Sequence, residues 1–402
     1  DKLASLAVAS KLPPSIPRGR VPKAAFVFSG QGPQWWAMGR ELLAAEPVFR
    51  EMIERCDVLL KPYTGWSLLA ELTAAEADSR LDQTEVAQPA IFALQVGLAA
   101  LWRSWGIMPE AVVGHSIGEV AAAHVAGVLS LEEAIRVVYH RARLMQAATG
   151  SGKMASVEIS ETEAAQLIAP YGDRLSVAAI NSPTTVVLSG EPAALDAVLD
   201  TLQSRGVTGK LLRVNYAFHS AQMEPFAREL AQELRGLQPQ AAVVPIYSTV
   251  TGGAQDGQAF DAAYWGRNVR QSVRFAAAVA RLIEDGYSLF VELSPHPALG
   301  GMVIQCLEAA GSEGKAVASL RRGRGEQDTL YTALGELFTA GYPVQWAQFY
   351  PTGGKVVPLP TYPWQRERYW FEPKHPAQQP VLRAANTHPL LQNRLRSPAI
   401  QG

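Results

Sequence analysis

Ser116 lies in the run Gly114-His115-Ser116-Ile117-Gly118, a spacing that suits a nucleophile lifted on a sharp turn between strand and helix. Glycines at both ends let the two elements close on each other, and the amide of Ile117 is then aimed at a developing oxyanion. The bare pattern also arises in ordinary βα turns. Its setting favours the nucleophile, because the apolar run Ala111-Val112-Val113 precedes it and a helical stretch, Glu119–Val128, follows. Such a serine needs a base, and seven histidines compete for the role. His219 is the best placed, ending Val214-Asn-Tyr-Ala-Phe-His219 where a smaller inserted unit returns to a larger one, and such junctions sit at clefts. A satisfied structural histidine is the competing reading. His115 adjoins the serine and should turn away from it into core packing. His296, in Ser294-Pro-His-Pro297, is either near the site or simply part of a proline-locked loop.

Arg141 carries a signal that depends on no motif. On a helix over Leu131–Met145, at ~100° per residue, Leu131, Ile135, Val138, Ala142 and Met145 form an apolar arc that Val137 and Leu144 extend. Arg141 falls inside that sector, whereas Arg136, His140 and Arg143 share the polar face. An inward guanidinium is costly unless it meets an anion. It is either a snorkelling or salt-bridged structural arginine, or a fork that receives a carboxylate in a cleft. Ser29-Gly-Gln-Gly32 follows the first strand, so in a parallel sheet it opens on the same edge as Ser116. The amide of Gln31 could there supply a second oxyanion donor. A plain turn or a phosphate loop is the alternative, but the Gly-Lys-Ser/Thr completion of a nucleotide loop is absent.

The elements that must position these residues alternate. Ala24–Phe28 and Ala111–Val113 read as buried strands among helices, which predicts a parallel sheet covered on both faces, and the same body resumes at Phe218 and continues through Ser288–Leu293 to about Leu320. Between them, strands at Met154–Ile159, Val177–Asn181, Thr185–Ser189 and Leu211–Val214 enclose helices at Glu161–Ala169 and Pro192–Arg205. That β-α-β-β-α-β order over about 65 residues is the ferredoxin-like pattern. The chain is 402 residues long, 48% hydrophobic and 18% charged, with a net charge of −1. This is a globular composition without the basic footprint of a nucleic-acid binder. Two cysteines, Cys56 and Cys306, exclude a disulfide framework, and no paired cysteines suggest zinc. No run approaches the 18 or so consecutive apolar residues of a spanning helix, so neither a membrane nor a nucleic-acid partner is expected, and composition points to the cytoplasm.

Taken together these residues resemble the acyltransferase domain of modular polyketide synthases. The matching pieces are Phe28-Ser-Gly-Gln-Gly-Pro-Gln-Trp35, Gly114-His-Ser-Ile-Gly-Glu119, Asn181-Ser-Pro183, Tyr216-Ala-Phe-His-Ser220, Tyr264-Trp-Gly-Arg-Asn-Val-Arg270 and Glu292-Leu-Ser-Pro-His-Pro297. The resemblance implies an α/β-hydrolase-like parallel-sheet body at 24–150 and 218–320 with a ferredoxin-like subdomain at 151–217. It makes residues 1–23 the end of a linker from a ketosynthase and 321–372 a linker after the transferase. Residues 373–402, with His388-Pro-Leu-Leu391, then lead toward a dehydratase domain. It implies Ser116 as nucleophile, His219 as base, and the Gln31 and Ile117 amides as the oxyanion hole. Arg141 would hold the substrate carboxylate, and main chain near Asn268 would orient the histidine. The donor would be an acyl-CoA and the acceptor the phosphopantetheine of an acyl carrier protein, with no permanently bound cofactor. Neighbouring ketosynthase and dehydratase domains would be the other partners. Ile117 and Phe218 match the malonyl-specific pattern of the family, whereas Tyr216 belongs to the methylmalonyl one; the expectation is malonyl first, methylmalonyl second. A serine hydrolase or thioesterase, and an idle docking element, are the readings from other classes.

Overall fold

The computed structural model describes residues 21–353 except Ser151, Arg213 and Pro351, together with isolated positions up to Trp364. Residues 1–20 of the expected linker at 1–23, most of the proline and aromatic segment at 359–370, and the tail at 373–402 lie outside the described residues, and Lys23 already belongs to the first strand. The chain divides after Gly353, and both of its sheets belong to the unit before that point.

In the larger sheet, the strands β1 (Lys23–Phe28), β2 (Ala111–Gly114), β7 (Ile246–Ser248), β8 (Gly253–Gln255), β9 (Tyr287–Leu293) and β10 (Lys315–Ala318) lie in the order β10-β9-β1-β2-β7-β8. Every pairing is parallel except the β7–β8 edge. Residues Ala24 to Phe28 are all buried, as a strand must be when helices cover both faces of its sheet. The smaller sheet joins β3 (Lys153–Val157), β4 (Leu175–Ser182), β5 (Thr185–Gly190) and β6 (Gly209–Leu211) in the order β4-β5-β3-β6, antiparallel throughout. Helices Glu161–Ile168 and Pro192–Ser204 complete the β-α-β-β-α-β connectivity, and Ala155, Val157, Val186, Leu188, Leu195 and Val198 form a separate core. The fold is therefore an α/β-hydrolase-like body with a ferredoxin-like subdomain.

The last strand of the subdomain differs from the sequence expectation of Leu211–Val214. Pairing with β3 aligns Gly209 with Val157 and Leu211 with Ala155. All three residues of β6 are exposed, so this edge strand carries no apolar periodicity, and the apolar Leu211-Leu212 pair drew the reading downstream. Helix Thr84–Ser104 is long and apolar enough to cross a membrane by composition alone, despite its polar interruptions, but 89% of its most apolar stretch is buried in the protein. It packs against the helices Pro47–Thr64 and Leu131–Ala147 as a core element.

One short segment fastens the two sheets. The Ile180 amide donates to the Val273 carbonyl and the Val273 amide to the Ala178 carbonyl, each at 2.9 Å. The same stretch begins at Gln271, whose carbonyl oxygen meets the ring of His219.

Candidate active site

The turn that carries Ser116 is built by close approach. β1 and β2 run in register, Phe28 beside Gly114, and the His115 amide donates to the Phe28 carbonyl at 2.8 Å. The helix Gly118–Val125 starts immediately after. A Cβ on Gly114 would lie 2.3 Å from the Glu119 backbone, and one on Gly118 would lie 2.3 Å from the Phe28 carbonyl oxygen. No side chain fits either place. Ser116 itself sits at φ 55°, in the left-handed region that non-glycine residues seldom occupy. The surrounding packing holds this strain, and the hydroxyl stands clear of the strand it follows.

His219 reaches Ser116 across 103 residues of sequence, its Nε2 2.8 Å from the serine Oγ. It too has a positive φ, 58°. Its Nδ1 lies 2.9 Å from the Gln271 carbonyl oxygen. A carbonyl only accepts, so Nδ1 carries the proton and the Nε2 lone pair faces the serine. Burial, then the charges of Arg141 and His115, push the imidazole down to about 3, with the Gln271 and Asn268 carbonyls opposing. It is neutral at physiological pH, the form a base requires. The sequence expectation placed the orienting main chain near Asn268, whose carbonyl acts on the ring together with that of Gln271, three residues on. The hydrogen-bonded carbonyl is that of Gln271, just past helix Ala262–Arg270, where the chain leaves the helix and frees that oxygen.

Arg141 is fully buried on the inner face of its helix. Its Nη2 donates to Ser116 Oγ at 2.9 Å, Nη1 to Gln88 Oε1 at 2.7 Å, and Nε to Asn268 Oδ1 at 3.2 Å. Among the described residues it forms no ion pair at salt-bridge distance. Burial lowers its pKa to about 9 while Glu119 acts to raise it, so the guanidinium is still charged at neutral pH. The Gln88 amide then donates to Gln31 Oε1 at 3.0 Å, and the Gln31 amide group to Thr84 Oγ1 at 3.1 Å. The loop after β1 is thereby tied to the arginine. Neither the Gln31 nor the Ile117 main-chain amide donates to a main-chain carbonyl among the described residues.

Tyr216 and Phe218 stack face to face, with ring centroids 3.6 Å apart and planes 12° from parallel. His115 does more than pack: its Nε2 meets Asn181 Oδ1 at 2.9 Å, across to the small subdomain. His296 takes no part with Ser116; its Nδ1 accepts from the Arg322 amide at 3.2 Å. Sequence reasoning missed Gln88, Gln271 and the role of Glu119. Gln88 was open to the argument used for Arg141, being a polar residue among buried apolar ones on its helix.

The sequence profile of the acyl transferase domain family matches residues 25–344. The chain belongs to that family. This acyl transferase is 44% identical over 354 residues to erythronolide synthase EryA2 of Saccharopolyspora erythraea, a match covering 88% of the chain but 10% of that synthase. It thus spans a small part of the multidomain polyketide synthases that it matches. Among solved structures, the acyltransferase domain from module 8 of the salinomycin polyketide synthase superposes with a TM-score of 0.81 at 40% identity, covering 86% of this chain and 82% of that one. The malonyl CoA–acyl carrier protein transacylase of Coxiella burnetii superposes with a TM-score of 0.69 at 26% identity, covering 79% of this chain and 99% of that one. The acyl transferase presents a serine hydroxyl between a neutral imidazole and a buried guanidinium. That arrangement suits acyl transfer through an ester, with a positive fork beside it for an anionic acyl group.

Proposed function

We propose that the protein loads a dicarboxylic extender unit, malonyl first, from its CoA thioester onto the phosphopantetheine thiol of an acyl carrier protein. The observation that carries this reading is the position of Ser116 Oγ, within hydrogen-bonding distance of both His219 Nε2 and Arg141 Nη2. Ser116 Oγ attacks the thioester carbonyl while His219 Nε2 takes its proton. The oxyanion is held by the Gln31 and Ile117 amides, and collapse expels the CoA thiolate, which recovers the proton from the imidazolium. The carrier thiol then attacks the seryl ester with the same base, and Ser116 Oγ regains its proton as it leaves. A carbonyl on Nδ1 suffices in place of a carboxylate because a thiolate leaves with little protonation.

The free carboxylate of the extender pairs with Arg141. A carboxylate in a dry cleft beside a charged fork is bound strongly, and a substrate without one leaves the guanidinium unpaired. Preference for malonyl over methylmalonyl rests on the Phe218 ring, which the Tyr216 stack keeps in place. The great length of the related synthases supports the chain acting as one domain among several, and the resemblance of its flanking segments makes a ketosynthase and a dehydratase its neighbours and the carrier protein its partner.

Incubation with labelled malonyl-CoA tests the reading directly. Stable label on the unmodified protein and none on Ser116→Ala, measured by intact mass, is the expected result. Rapid release as free malonate would make the protein a hydrolase, and absence of label would make it an idle element.

A further inference from the structure

Glu119 is fully buried one turn beyond the nucleophile. Both of its oxygens are engaged: Oε1 accepts from the Thr249 amide and Oε2 from Asn268 Nδ2, each at 2.7 Å. The Thr249 contact anchors it to the loop that follows β7. A carboxylate can only accept, so the amide of Asn268 must turn its nitrogen toward Glu119. Its Oδ1 is then left facing Arg141 Nε, which can only donate. Charge at one end and donor chemistry at the other fix the orientation of the amide between them.

We propose that Glu119 is a positioning residue for the Arg141 fork, acting through Asn268. This deepens the assignment of Arg141 as the carboxylate-binding group and rests on it for its consequence in catalysis. Glu119 also supplies the nearby negative charge that favours the charged guanidinium. With Nε held by Asn268 and Nη1 by Gln88, the plane of the fork is set from behind, and its Nη2 arm faces the serine oxygen. Burial raises the Glu119 carboxyl to about 7, against the hydrogen bonds from Tyr264, Thr249 and Asn268. At pH 8 the carboxylate form predominates.

Glu119→Gln keeps the shape and reverses the logic. Its oxygen still accepts from Thr249, so its amide nitrogen faces Asn268. Asn268 must then turn Oδ1 toward residue 119 and point its own amide protons at Arg141 Nε–H, donor against donor. The double variant Glu119→Gln with Asn268→Asp restores an acceptor at both ends, since the aspartate accepts from the new amide and from Arg141 Nε. It also sets an aspartate oxygen opposite the Ser116 carbonyl in place of the 3.3 Å bond, as the turned Asn268 of the single variant does, so the two variants differ only at the Glu119 and Arg141 ends.

The experiment has two readouts at pH 8. The first is kcat/KM for Ser116 acylation by malonyl-CoA, against the rate of Ser116 labelling by phenylmethanesulfonyl fluoride, which has no carboxylate. The second is the Arg141 Nε–H resonance in 15N-labelled protein. In Glu119→Gln, malonyl acylation should fall about tenfold more than sulfonyl fluoride labelling, the effect of one misdirected charge-assisted bond. The Arg141 signal should shift and exchange faster, and the double variant should recover both. Equal loss in the two labelling reactions, an unmoved Arg141 signal, or a double variant no better than the single one would overturn the inference. Should Glu119→Gln unfold, Asn268→Ala carries the test, because removing the bridge must release Arg141 Nε in the same way. Failure of the unmodified protein to take malonyl while the Arg141 signal responds as described would refute the substrate assignment and leave the positioning role standing.

Discussion

At the scale of single residues, the site is a set of hydrogen bonds whose directions are dictated by chemistry. The Gln271 carbonyl fixes the tautomer of His219, and that tautomer offers a lone pair to Ser116. Because burial and Arg141 hold His219 near 3, the base is neutral throughout the ordinary range. Labelling of Ser116 by phenylmethanesulfonyl fluoride, which needs the base but offers Arg141 no carboxylate, should therefore stay level as pH falls from 8 to 5; a half-loss near 6.5 would contradict this environment for the ring. Arg141→Ala should lower malonyl acylation relative to acetyl acylation by about a hundredfold, because a hydrogen-bonded charged pair is worth ~1.5–3 kcal/mol. Competing the two CoA esters and weighing the acyl-enzymes measures it, and equal loss for both would make Arg141 structural. Phe218→Ser removes one partner of the Tyr216 stack. It should narrow or reverse the malonyl preference over methylmalonyl, a gap of only ~1–3 kcal/mol for one methyl, read as a ratio of kcat/KM values.

The elements position these residues through contacts that tolerate little. The nucleophile turn exists because β1, β2 and the helix Gly118–Val125 approach to where only glycine fits. Gly118→Ala would drive a Cβ to 2.3 Å from the Phe28 carbonyl oxygen, so β1 must move or the turn must open. We expect a loss on the order of 3 kcal/mol or more in denaturant unfolding, the range of strain and overpacking effects. Gly301 is the control, since a Cβ there meets nothing within 4 Å. On the helix Gly300–Ala309, Gly301→Ala should be neutral or stabilise by up to ~1 kcal/mol. Equal destabilisation by both substitutions would refute the close-approach argument. The helix Leu131–Ala147 is legible in sequence by contrast, because Ser130 and Glu133 form its capping box and its apolar arc repeats with the helical period.

For the whole molecule, burying the site couples folding to pH. His219 has a folded pKa depressed to about 3 from an unfolded reference of 6.5. Its contribution to stability is complete above 6.5 and is lost progressively as pH falls toward 3, because the unfolded chain binds the proton first. Glu119, raised from 4.5 to about 7, works in the opposite sense, favouring the folded state as pH falls from 7 toward 4.5. Thermal midpoints of the unmodified protein at pH 6.5 and pH 5 report the sum of the two, and a variant without the imidazole separates them. His219→Gln should lose less on acidification than the unmodified protein, and an unchanged pH dependence would mean that the imidazole is not held neutral in the fold. The segment that joins the sheets matters at this scale as well. Val273 binds the small subdomain to the body while Gln271, two residues earlier, orients the His219 ring. The placement of the subdomain and the geometry of the Ser116–His219 pair thus share one short length of chain.

What the sequence determined by itself was whatever local pattern carries. Gly114 to Gly118 between an apolar run and a helix specified the turn, the apolar arc around Arg141 turned a charge inward, and the β-α-β-β-α-β order outlined the smaller sheet. Each follows from backbone sterics or side-chain periodicity within a few turns of chain. The exposed strand β6 escaped because an edge strand with all its side chains in solvent has no apolar pattern to read. The tertiary structure alone decided which carbonyl holds His219, and that Gln88 and Asn268 take the arms of Arg141. It also placed Glu119 behind Asn268. Every residue carries a carbonyl, and an amide can face either way. Which one meets a given donor depends on how distant segments are brought together, and no residue type announces that in advance.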